Sequence, residues 1–245
     1  MSPEMCRLYE NPSLRAMGGG LIRPGGLELT QKAVEISALN PGARLLDIGC
    51  GTGAALRYLI DECGFRAVGI DPSQLLLTAG REKNPGIPLA GASATLLPFA
   101  DRSMDAVVAE CSLSVISDVT KALDECFRVL DHEGVVLAHD IYARNPSGVA
   151  GLRGLELKSC LTGAVSKEEW LQRFRRCGFT LIYWEDHSRV LKEFAARLIF
   201  DHGSLEAFWG CSAFGLDQQQ MQSALRSARP GYFLAVARKT GDPCL

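Results

Sequence analysis

Gly49, Gly51 and Gly53 alternate with Cys50 and Thr52, an acid at Asp47 precedes them, and a second acid, Asp71, closes the next apolar run. Glycines at such spacing let a ligand approach the main chain more closely than a β-carbon permits, and they accept positive φ at low cost. Asp71 stands where a carboxylate accepts hydrogen bonds from ribose hydroxyls. Both features also fit the loose G-x-G-x-x-A form of a nicotinamide dinucleotide site. Asp47 points the other way, because a carboxylate there favours a cationic ligand over a pyrophosphate. A tight structural turn is the plain alternative to any ligand site.

The remaining titratable candidates are scattered. Glu110, His139, Asp140 and His187 fall at the ends of apolar runs, where a general base would sit. Nine cysteines form an odd, widely spaced set with no export signal ahead of them, so reduced thiols are expected. Cys50, Cys63, Cys126 and Cys177 read as small buried hydrophobes. Cys111, Cys160 and Cys211 read as acceptor-side thiols, and no metal site is expected, since Asp201 and His202 are adjacent and adjacency is poor ligand geometry on a helix.

The elements that must position these residues follow from the apolar pattern. Runs over 43–49, 66–71, 87–92, 104–110 and 134–141 alternate with amphipathic stretches, as in a parallel sheet with crossover helices. Val119, Ala122, Leu123, Cys126 and Leu130 lie along one helical stripe. Ser166 and Glu169 have capping-box spacing ahead of a helix that stops at Gly178, and a strand follows over 180–186. The last run, 231–239, has no comparable crossover before it and is expected to return antiparallel. The fold expected is α/β: a doubly wound, mostly parallel, seven-stranded Rossmann-like sheet with an antiparallel last strand and helical lid insertions. The chain is read as one domain over 1–245, with an N-terminal lid over 1–42, a cofactor-binding core over 43–140 and an acceptor-side half over 141–245. A helical insertion over 188–229 belongs to that half. Arg23, beside Pro24 and two glycines, is a candidate contributor to the lid.

A net charge of −2 gives no general attraction to nucleic acid or anionic membrane. No stretch is long and apolar enough for a membrane span, and the expected location is cytoplasmic. A small-molecule partner is expected.

The ordered segments "LLDIGCGTG", "VGIDPS", "LLPFADRSMDAVV" and "ECFRVLDHEGVVLAHD" resemble the successive motifs of class I S-adenosylmethionine-dependent methyltransferases, in the branch that includes quinone-biosynthesis and arsenite methyltransferases. The resemblance covers 43–140 and implies S-adenosyl-L-methionine as cofactor. Asp47 and the backbone at Gly49, Cys50 and Gly51 would hold its methionyl part, Asp71 the ribose and Pro72 the adenine. Ser93 and Ala94 occupy the place where the family often carries an acid for the adenine amino group, and Glu110 and Cys111 fall where the family's cofactor pocket meets the acceptor site. "DHEG" replaces the family's usual Pro-Gly-Gly turn. "KSCLTGAVSKEEW" resembles the arsenite methyltransferase segment whose cysteine binds arsenic, which makes Cys160 a candidate for catalysis beside Glu110 and His139. Those enzymes have a further cysteine just ahead of the glycine loop; residues 21–44 contain none here. The function implied is methyl transfer by direct displacement to a small-molecule acceptor, with a thiophilic or metalloid species as its finer form. Two alternatives stay open: an NAD(P)-dependent oxidoreductase, and a non-catalytic S-adenosylmethionine-binding protein.

Overall fold

The computed structural model describes residues 9–10, 23–203 and 217–241. Its strands are β1 (Arg44–Ile48), β2 (Arg66–Asp71), β3 (Leu89–Gly91), β4 (Met104–Glu110), β5 (Leu130–Ala143), β6 (Val165–Ser166), β7 (Phe179–Asp186) and β8 (Pro230–Lys239). They form one sheet in the order β3-β2-β1-β4-β5-β8-β7, with the short β6 pairing β5 beside that path. β1 to β5 run parallel, and β8 lies antiparallel between β5 and β7. All seven expected strands are present. The two-residue β6 is additional, and two residues are too few to give an alternation signal. The third strand is shorter than the expected 87–92, and the fifth starts earlier, at Leu130.

Neighbouring residues of the central strands feed opposite sides of the sheet. Leu45, Ala106, Val108 and Val135 pack in one core layer, whereas Leu46, Val107, Ala109 and Val136 pack in the other. Period-2 alternation with both faces apolar is what a sheet covered on both sides requires.

The helices are α1 (Gly26–Ser37), α2 (Ala54–Asp61), α3 (Gln74–Lys83), α4 (Val119–Val129), α5 (Val149–Arg153), α6 (Lys167–Arg176), α7 (Ser188–His202) and α8 (Gln218–Ala228). Side-chain caps start several of them: Ser73 accepts from the Leu76 amide, Asp118 from Lys121, and Ser166 from Glu169 as the capping spacing predicts. Gly178 follows α6 with φ +81°. Ala122, Leu123 and Cys126 of the predicted stripe are buried on α4. The expected insertion over 188–229 carries α7 and α8 at its two ends, while 204–216, including Cys211 and Trp209, lie outside the described residues. No helix among the described residues is long and apolar enough to cross a membrane.

Strand order reverses at β1, whose neighbours β2 and β4 are reached by crossovers in opposite directions. A crevice at the carboxyl ends of these strands is the usual ligand position in such a sheet. α3 must pack tightly against the loop that follows β1, and Gly80 permits it: a β-carbon there would stand 2.6 Å from the Thr52 carbonyl oxygen. Helix propensity alone would make Gly80→Ala stabilising by about 1 kcal/mol. The contact reverses the sign, so the melting temperature of Gly80→Ala should fall below that of the wild type in calorimetry.

Candidate functional site

The loop after β1 turns through three glycines with φ of +75° at Gly49, +56° at Gly51 and +74° at Gly53. A β-carbon at Gly49 would also meet the Ser112 β-carbon at 2.7 Å, so the loop sits directly against the end of β4. The turn is latched to β2. Gly49 and Cys50 amides both donate to the Ile70 carbonyl, at 2.8 and 3.0 Å, the Gly51 amide donates to Asp71 Oδ2 at 3.0 Å, and the Gly53 amide donates to the Cys50 carbonyl at 2.9 Å. The Cys50 side chain packs on Gly69, where any β-carbon would collide with its sulfur, and burial pushes its thiol pKa up. The loop therefore engages four of its own amides internally.

Asp71 is 7% exposed, and its Oδ1 accepts from the Ser73 amide at 2.8 Å. Burial raises its pKa against these two backbone donors. Asp71 and Pro72 line a cleft of about 1150 Å³, counted to its open mouth, together with Gly49, Cys50 and Gly51. Ser93 and Ala94 line its far wall, where Ser93 Oγ and Thr95 Oγ1 lie 2.8 Å apart. Glu110, Cys111 and Ser112 at the end of β4 form the opposite wall. Ser112 Oγ is buried with no hydrogen-bond partner. Tyr9 and Arg23, ahead of α1 in the chain, line the same cleft.

Charge is concentrated at the floor. Glu110 Oε2 pairs with Arg23 Nη2 at 2.9 Å, Glu110 Oε1 accepts from Thr30 Oγ1 at 2.7 Å, and Arg23 Nη2 donates to Thr30 Oγ1 at 2.7 Å. Burial alone would raise the Glu110 carboxyl; Arg23, His139 and Thr30 outweigh it and hold the group at about 2. So acidic a carboxyl is a poor proton acceptor at neutral pH. Asp47 stands behind the loop, 3% exposed and absent from the cleft lining. Burial, with Glu110 next, pushes it up to about 8 despite Arg23.

The other candidates separate by position. His139 is buried beneath Glu110, its Nδ1 3.3 Å from Glu110 Oε1, and neither ring nitrogen has an aligned hydrogen bond. Asp140 binds the turn after β4, accepting from Ser114 Oγ at 2.5 Å and from the Ser114 and Ile141 amides at 2.9 and 2.7 Å. His187 pairs with Glu185 at 2.8 Å, at the start of α7, and does not line the cleft. Cys111 Sγ lies 3.1 Å from the Tyr232 hydroxyl, and the Cys160 amide donates to the Tyr9 hydroxyl at 3.1 Å. Both thiols are kept protonated by burial, Cys160 at about 12 and Cys111 well above its ordinary value. Cys160 lies outside the cleft lining, and no metal-binding group of three or more His, Cys, Asp or Glu residues occurs among the described residues. Tyr9, Thr95 and Ser112 were not anticipated from the sequence. Ser112 had a usable signal, since it follows the end of a parallel strand beside the strand-order reversal.

The antiparallel β8 between β5 and β7 disfavours the dinucleotide alternative, which calls for a parallel sheet throughout. Residues 46–138 match the family model described as a methyltransferase domain. A methyltransferase domain thus occupies the central part of the chain. Relatives of this chain include phosphoethanolamine N-methyltransferase 1 of Arabidopsis thaliana, 28% identical over 71% of this chain and 36% of the relative. The chain thus spans about a third of the length of that relative. The ubiquinone/menaquinone biosynthesis C-methyltransferase of Campylobacter jejuni is 26% identical over 61% of this chain and 76% of its own. Among solved structures, the [4+2]-cyclase SpnF superposes with a TM-score of 0.73 at 24% identity, covering 99% of this chain and 95% of that one. Haemonchus contortus phosphoethanolamine N-methyltransferase 2, in complex with S-adenosylhomocysteine, superposes at 0.70 with 20% identity, covering 98% and 57%.

The buried Asp47 makes stability depend on pH. Its folded pKa lies above the unfolded value of 3.8, so the stability it contributes is complete below about pH 4 and is lost as pH rises to about 8. Asp47→Asn removes that loss. Thermal melts of the ligand-free protein should show the variant more stable than wild type at pH 8 to 9, with the difference shrinking toward pH 5.

Proposed function

We propose that this chain transfers a methyl group from S-adenosylmethionine to a small-molecule acceptor that carries its own lone pair at neutral pH. The observation that carries this reading is the cleft itself: it is lined by Asp71, Glu110 and Cys111, and no described lining residue is fit to be a base. Asp71 keeps a second lone pair on each carboxylate oxygen for the ribose hydroxyls, since each oxygen accepts one backbone amide. Pro72, Ser93 and Ala94 would flank the adenine. Asp47 supplies negative charge behind the loop for the methionyl ammonium, and the backbone of Gly49, Cys50 and Gly51 forms the floor beneath it.

Bound S-adenosylmethionine would supply an already activated methyl group, so the chain's own residues have to align the acceptor and exclude water. Glu110 stays ionised at about 2 and serves as the counter-ion of Arg23. Asp140 is held by three donors and His139 is enclosed. An acceptor that must first lose a proton from an alcohol or an unactivated carbon finds no partner here. Among the described lining residues Arg23 is the single cation, and it is already paired, which disfavours a phosphorylated acceptor such as the one named for the Arabidopsis relative. Cys111 on the wall places a sulfur atom beside the acceptor, which favours a soft, thiophilic or metalloid species. The fold is shared with a cyclase, so a cofactor-binding protein without transferase activity is the second reading.

Calorimetric titration should show saturable S-adenosylmethionine binding, weakened roughly 10- to 100-fold in Asp71→Ala, and no binding of NADH. Mass spectrometry of the reduced enzyme with arsenite or small thiols should then detect methylated product and S-adenosylhomocysteine, with Cys111→Ser lowering kcat/KM. Binding without product from any soft, amine or quinol acceptor would favour the second reading.

A further inference from the structure

We propose that a groove at the end of the sheet away from the cleft binds a small amphipathic carboxylate, an organic acid with an aromatic or short aliphatic body, through Arg66 and Arg57. The groove opens between α2, the start of β2 and the turn that leads into β3, and among the described residues it shares no lining with the cleft. Arg66 begins β2 and Asp71 ends it, so the two concavities lie at opposite ends of one strand. Counted to its open mouth, the groove holds about 760 Å³, within the range of small-molecule sites.

Its lining divides by chemistry. Phe65 and Ile87, 4% and 7% exposed, make an apolar floor, with half-buried Ile60 and Val68 beside them and exposed Pro88 at the rim. Pro85 and Pro88 fix the backbone on either side of Gly86, which turns at φ +85° and where a β-carbon would meet nothing within 4 Å. That wall is therefore stiff and its mouth unobstructed, so little ordering opposes an occupant. The lining charges among the described residues are both cations. Arg57 on α2 is held by Asp61 through Nε at 2.5 Å. Arg66 is exposed, and its guanidinium has no ion pair or hydrogen bond among the described residues. A free guanidinium over an apolar floor offers a planar pair of donors to a carboxylate and a nonpolar surface to the body that carries it. One free fork suits a monoanion of this kind better than a phosphate ester, whose higher charge calls for several donors.

The test compares naphthoate with its uncharged counterpart naphthamide, which has the same ring system. Dissociation constants are measured by calorimetry for wild type, Arg66→Glu and Ile60→Gln, each first checked by thermal melting. Wild type should bind naphthoate roughly 5- to 20-fold more tightly than naphthamide, with the preference narrowing as salt is raised. Arg66→Glu, an exposed replacement that the fold tolerates, should abolish the preference by weakening naphthoate alone, and Ile60→Gln should weaken both compounds. Equal affinities in wild type, undiminished naphthoate binding in Arg66→Glu, or unchanged affinities in Ile60→Gln would overturn the proposal and leave the two arginines as solvated cover of an apolar groove. If Ile60→Gln does not fold, the wild-type ratio and Arg66→Glu decide by the same criterion. No binding of either compound, with the groove bare or covered by a second copy of the chain, would overturn it equally.

Discussion

The buried pair between Arg23 and Glu110 ties the two halves of the site together. Arg23 lies just ahead of α1 and Glu110 ends β4, so one contact joins the segment before the sheet to the strand that borders the switch point. Thr30 on α1 bonds both partners and fixes their geometry. Truncating one member of such a pair costs about 3–5 kcal/mol, because the other charge is left enclosed without compensation. The pair is therefore a constraint on the site as much as a source of stability: it decides where the guanidinium stands and keeps the Glu110 carboxylate ionised.

The same local charge explains why Asp47 behaves so differently from Glu110. Both are buried carboxylates at the carboxyl end of the sheet, yet one is pushed up to about 8 and the other held at about 2. Arg23 reaches Glu110 directly and acts on Asp47 only at a distance. A carboxyl raised by burial to near neutral pH ionises more readily beside a cation, so the difference between the two acids follows from how closely Arg23 approaches each.

The strands were legible because a sheet covered on both faces needs continuous apolar runs, and 43–49, 66–71 and 104–110 carry them with little competition from helical spacing. The loop glycines and Asp71 were legible for a local reason: positive φ and a strand-terminal carboxylate are written within a few residues. Arg23 was marked only by its glycine-rich surroundings, and its bond to Glu110 spans the first three strands. Tyr9 reaching the Cys160 amide is longer still in sequence, and no local pattern encodes such a contact. His139 misled for the opposite reason, since the rule that strand ends face the crevice does not say which face of β5 a given residue occupies. Its ring turned inward, under Glu110.

Acceptor choice follows from what the cleft wall withholds. A methyltransferase that deprotonates its acceptor needs a base of matched pKa on that wall, and the wall here offers a strongly acidic carboxylate, high-pKa phenol and thiols, and a paired guanidinium. Each of these groups resists proton exchange near neutral pH. The same wall also provides a low-polarity surface at Cys111, Val115 and Ile116. Such a surface selects by fit and by the acceptor's own nucleophilicity, and it excludes the water that would compete for the methyl group. The wall is thus divided: charge is confined to the Glu110–Arg23 pair, while Cys111, Val115 and Ile116 carry none.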